Sequence, residues 1–170
     1  MAWTAPKTDF APGDILNAAQ MNAIGENLDT IGGGFVAYTP TLTNLTLGTA
    51  GTVTGRAMET EKFVFVDIVA ILGTSGFSVG NNPEFSLPSG VSFGSSYTTN
   101  ISTVGWALAV DQVALTRYQG YARVQTSTTV AMGVMSVSGT NVQTAGVTST
   151  TPLTWGAGDE FRFHFWFEAA

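Results

Sequence analysis

The sequence contains no cysteine. Disulfides, thiol catalysis and thiolate metal sites are therefore excluded. Histidine occurs once, as His164, so no histidine pair can hold a metal, and neither an HExxH helix nor an EF-hand loop is present. Charge is scarce: 11% of residues are charged, against about 25% in ordinary soluble domains. Only six are Lys or Arg, and they are scattered as Lys7, Arg56, Lys62, Arg117, Arg123 and Arg162. Binding a phosphate backbone needs a cationic patch, so no nucleic-acid partner is expected. The longest apolar run, "FVFVDIVAILG", is about half a membrane span and is broken by Asp67, so no membrane insertion is expected. The first residues lack a basic stretch followed by an apolar core, and synthesis in a cytoplasm is expected.

What is present is a chain of 170 residues, 44% hydrophobic, with net charge −6. A chain of this length buries roughly 70% of its unfolded surface, enough for a real core. With so little charge, the surface must be neutral and polar, or hidden in an assembly. Abundant Thr, Ser, Asn and Gly suit the first option and self-association suits the second.

One segment reads as a helix, "NAAQMNAIGENLDTIGGG". Asn17 is its N-cap, with Gln20 at capping-box distance. Met21, Ile24, Leu28 and Ile31 follow at spacings of 3, 4 and 3, an a/d stripe, and Gly32 to Gly34 end it. A helix of about 14 residues is marginal alone, so the stripe must be covered. It packs either on its own domain or on a partner, and copies of itself or a docking surface are the natural partners. Residues 1–34 are thus expected to be an arm and helix for attachment or oligomerisation, and residues 35–170 a separate β domain.

From Phe35 onward the pattern is that of strands. Apart from Asp67, Phe63 to Leu72 is apolar and mostly β-branched or aromatic, as a buried central strand would be. "NNPEFSLPSG" holds Pro83 and Pro88, which predicts a brief or edge strand. A turn is expected at Asp111 and Gln112. The last stretch alternates Phe161, Phe163, Phe165 and Phe167 with Arg162, His164, Trp166 and Glu168, placing the Phe residues in a core. Eight to ten short strands predict a mainly β chain: an antiparallel β-sandwich, jelly-roll-like, preceded by an extended arm and one short N-terminal helix.

No catalytic constellation is legible. A triad of His164 with Asp159 lacks a nucleophile motif. Asp67, Glu84, Asp111, Asp159 and Glu160 are the carboxylates available for glycoside cleavage, and Asp67 is more simply the polar side of a strand or a subunit contact. Trp106, Tyr118, Tyr121, Trp155 and Trp166 could stack on a sugar or pack inside. Catalytic residues and cofactors are expected to be absent, and no ligand-binding residue is assigned.

"WTAPKT" followed by "PGDILNAAQMNAIGENLDTI" resembles the N-terminal segment of small structural proteins of tailed bacteriophages. That family often runs W-T-x-P-K-T, then a Gly-acidic turn, then a short helix with M-N or L-N ending in N-L. The matching positions are Trp3, Thr4, Pro6, Lys7 and Thr8, then Gly13, Asp14, Leu16, Met21, Asn22, Asn27 and Leu28. Asp9-Phe10 stands where the family often has a second Trp, and Asn17 replaces the usual Thr cap. The likeness covers roughly residues 3–72. It implies a virion structural protein of minor tail, tail-fibre or capsid-fibre type, a homotrimer, with tail or capsid proteins and a host-surface glycan as further partners. Trp3, Met21, Ile24, Leu28 and Ile31 would form its oligomer or docking surface.

Overall fold

A computed structural model describes residues 19, 21–23, 34–138 and 141–170. Ala19 and residues 21–23 are helical, within the segment where the short helix is expected, and Met21 is half exposed. Trp3, Ile24, Leu28 and Ile31 lie outside the described residues.

The rest is β. Ten strands follow in order: β1 (Val36–Tyr38), β2 (Leu42–Thr46), β3 (Thr52–Glu59), β4 (Phe63–Ile71), β5 (Ser78–Ser86), β6 (Thr103–Asp111), β7 (Thr116–Val124), β8 (Thr129–Ser138), β9 (Asn141–Gly146) and β10 (Glu160–Glu168). They form one antiparallel sheet in the order β1-β3-β4-β10-β6-β7-β8-β5-β2, with β9 beside β8.

The sheet curls into a half-barrel. Along its path β5 and β10 are four strand spacings apart, which is roughly 19 Å on a flat sheet. Yet the Phe85 ring on β5 lies 4.8 Å from that of Phe163 and 5.7 Å from that of Phe161 on β10. One sheet therefore supplies both layers of a sandwich-like fold. Its two ends, β1 and β2, are joined by residues 39–41 alone. The Tyr38 hydroxyl donates to the Ser86 carbonyl at 3.3 Å, and the Thr41 N–H donates to Ser86 Oγ at 2.9 Å, which ties β1 and the link to β5.

Period-2 alternation fills the interior. Val64, Val66, Ile68 and Ala70 of β4 and all four alternating Phe residues of β10 are buried. Trp155 stacks on Phe161, with centroids 4.3 Å apart, and Phe167 meets Phe93 at the same distance. The turn expected at Asp111 joins β6 to β7, where Asp111 Oδ1 accepts the Val113 and Ala114 N–H groups.

One strand departs from expectation. β5 is nine residues long, runs through Pro83 and lies between β2 and β8 rather than at an edge. The missing N–H is harmless because the ladder avoids it. Pairing to β8 begins at Glu84, and pairing to β2 is interrupted between Thr43 and Leu45, where Asn44 takes a positive φ of 57°.

Candidate functional site

Because inward residues alternate with outward ones, the outer side of β3, β4, β10, β6 and β7 is set by the same patterns that built the core. Arg56 pairs with Asp67, Asp67 with His164, His164 with Trp106, Trp106 with Tyr121, and Tyr121 with Gly133. Six residues on six adjacent strands form one row, roughly 24 Å long measured along the sheet.

The row is bonded along much of its length. Arg56 Nη2 donates to Asp67 Oδ2 at 2.9 Å, and Asp67 Oδ1 bonds His164 Nδ1. The Phe35 ring lies 5.3 Å from the Arg56 guanidinium. On the other side the Trp106 and His164 rings are 5.8 Å apart and tilted by 35°. Tyr121 occupies the space a side chain on Gly133 would need, so only glycine admits the ring there. Asp67 is the least exposed of the charged trio at 23%, against 44% for His164 and 59% for Arg56.

The carboxylate orients the imidazole. In the neutral ring the hydrogen sits on Nδ1, towards Asp67, and Nε2 is left as an acceptor. No hydroxyl nucleophile bonds this His–Asp pair among the described residues. Asp159, the carboxylate considered for a triad, is engaged elsewhere: Oδ1 accepts the Gln112 N–H at 3.0 Å and Oδ2 the Gly156 N–H at 2.6 Å.

The other acids also have structural partners. Glu160 accepts from Gln112 Nε2 and from Arg162 Nε, each at 2.6 Å. Glu84 accepts the Thr129 hydroxyl at 2.8 Å, and Asp111 caps its turn. Among the described residues no group of three or more His, Asp or Glu side chains is placed to hold a metal, and no helix is long and apolar enough to cross a membrane.

Around the charged row the outer face is mixed: β4 is apolar there, while Thr54, Arg162 and Gln119 of its neighbours are polar. Met58, Phe65 and Trp166 lie in register on one side of it, and Val69, Arg162 and Leu108 on the other. Trp106 and Trp166 are about half exposed, at 50% and 52%. Where β7 and β8 part beyond the Gly120–Val134 pair, a groove of about 850 Å³ opens. Trp106, Leu108, Arg117, Gln119 and Met135 contribute to its walls.

The five aromatics considered for stacking are thus separated. Trp106, Trp166 and Tyr121 belong to the outer side. Trp155 is core, with its indole N–H donating to the Thr148 carbonyl at 2.9 Å. Tyr118 packs against the core and borders the groove.

Sequence reasoning did not bring Asp67 and His164 together. Part of a signal was available, since Asp67 is the one polar residue of β4 and His164 the one histidine of the chain, but only the strand register joins them. This chain matches no protein-family model, no curated protein and no solved structure.

Proposed function

We propose that the chain is a non-enzymatic structural protein of a tailed-phage virion, of minor tail or tail-fibre type, that self-associates as a homotrimer and presents its β domain to the host surface. One structural observation carries the assembly part of this reading: the outer side of β4 is apolar at every position but Asp67, and the half-exposed Trp106 and Trp166 flank it. The N-terminal resemblance supports the virion part, and Trp3, Met21, Ile24, Leu28 and Ile31 are the proposed attachment surface.

Host-surface binding would use the groove beside Trp106. A sugar ring can stack on an indole while the Gln119 amide and the Arg117 guanidinium supply hydrogen bonds. Placement as a capsid fibre or head decoration fits the same features. Because the acids discussed above are engaged in turns and ion pairs, glycan cleavage is the weaker alternative.

The test is to purify assembled particles and probe them with an antibody to the β domain. Label at the tail supports the leading reading, label over the head supports the capsid placement, and particles lacking the chain sink both. Incubation of the chain with host-surface glycans belongs to the same experiment, because release of shorter sugars would restore the enzymatic alternative.

A further inference from the structure

We infer that the outer face of β3, β4, β10 and β6 is the contact surface for a second copy of this chain. The inference rests on the self-association part of the proposed function and not on the virion part.

An antiparallel strand with one face in water alternates apolar and polar residues, whereas a strand covered on both faces is apolar at every position. β4 is of the second kind. Its outward positions include Phe65, Val69 and Ile71, and only Asp67 interrupts them. Leu108 on β6 and Trp166 on β10 extend the same apolar surface. Within the described residues this face is only partly shielded, with Trp166 half exposed.

Both Arg–carboxylate ion pairs among the described residues involve this face, Arg56 with Asp67 and Arg162 with Glu160, and His164 bonds the same Asp67. Each formal charge at its centre is already partnered within the chain. Burying a paired charge costs far less than burying a lone one. A cationic or anionic partner would find no opposite field here, while an identical face finds a neutral, apolar match. The chain as a whole carries −6, and the internal pairing keeps that excess away from the centre of this face.

Four strands of about nine residues span roughly 15–20 Å by 30 Å. That footprint is of the order needed for a standard interface, about 800 Å² of accessible surface per partner.

The test uses the full chain. Wild type is weighed in solution at micromolar concentration beside a Val69→Lys, Trp166→Lys double variant, with circular dichroism to verify the β fold. A multimeric wild type and a folded, monomeric variant are expected. A monomeric wild type overturns the inference together with the self-association reading. A multimeric wild type whose folded variant stays multimeric overturns this inference alone and leaves another surface, such as the Met21–Ile31 stripe, to hold the copies.

Should the variant fail to fold, labelling decides. The chain has no cysteine, so Thr54→Cys, beside Val69 on the same face, and Val113→Cys each introduce a single reactive thiol. In the multimer, maleimide should modify the Thr54→Cys site at least tenfold more slowly than the Val113→Cys site, and the protection should vanish on dilution to monomer. Equal rates in the multimer, or protection that persists on dilution, would overturn the proposal.

Discussion

β4 and β5 occupy opposite layers of one sandwich and are the same length, yet they present different outer surfaces. Inward they are alike: β4 places Val64, Val66 and Ile68 in the core, and β5 places Val79 and Phe85 there. Outward, β4 shows Phe63, Phe65, Val69 and Ile71 around the single Asp67, while β5 shows Ser78, Gly80, Asn81, Glu84 and Ser86. β2, beside β5, adds Thr43 and Thr46. The inner rows must fill one shared core, so they agree. The outer rows answer to whatever lies outside the sheet, and water explains β2 and β5 but not β4.

The likeness of the inner rows can be broken most forcefully. Phe163→Ala, Phe165→Ala and Phe85→Ala should each cost about 3–5 kcal/mol, since each empties a buried aromatic position. Thermal or denaturant melts measure this. A large cost for the β10 pair with a negligible one for Phe85 would mean that the two layers do not share one core.

Asp67→Ala tests the outer row of β4 in two states. In dilute subunits Arg56 and His164 reach water, so losing the carboxylate should cost about 1 kcal/mol or less. In associated subunits the same change leaves an unpartnered buried cation, a penalty of about 3–5 kcal/mol read as weaker association. Comparing the melting of dilute subunits with the dissociation constant separates the two. Equal small effects would place Asp67 in water throughout. His164→Ala should leave the dilute fold intact and, under the proposed function, leave adsorption or infectivity unchanged.

Much of this architecture is legible in the sequence because alternation is a local signal. The Phe ladder of β10, the apolar run of β4 and the turn after Asp111 can each be read from a few neighbouring residues. The row from Arg56 to Tyr121 cannot. Its members lie on five strands, and a one-residue slip in any ladder would turn the slipped strand's member inward. The length of β5 is hidden for a related reason. Pro83 argues against a long inner strand unless the Asn44 irregularity on β2 is known. The curl of the sheet rests on contacts such as Phe85 with Phe163, which no window of sequence contains.

Tyr38 sits where the two layers are tied, and it offers a smaller, pH-dependent probe. Burial pushes its hydroxyl well above the usual value of 10.0. The folded state therefore holds this proton more tightly than the unfolded chain does. Its contribution is complete below about pH 10 and declines as pH rises beyond that, when the unfolded phenol ionises first. Tyr38→Phe should cost about 1 kcal/mol at pH 8, through the lost bond to the Ser86 carbonyl. The gap from wild type should narrow above pH 10. Melts of both proteins across that range check it, and a gap that widens would mean that burial does not disfavour the ionised form.

The smallest effect is expected where the comparison is most exposed to refutation. Thr43→Lys with Thr46→Lys places two ammonium groups on the polar layer, the same chemistry that Val69→Lys with Trp166→Lys places on the apolar one. Both threonines are exposed and lie on the strand at the end of the sheet path. A lysine there keeps its charge in water, and edge strands accept lysine readily. Two cations also relieve part of the chain's −6. The change should stay within about 0.5 kcal/mol of wild type in melting experiments, and the mass in solution should not alter. If this pair instead dissociated the multimer, a surface of Ser, Thr and Asn would be the one that holds copies together. The apolar outer face of β4 would then need a different occupant.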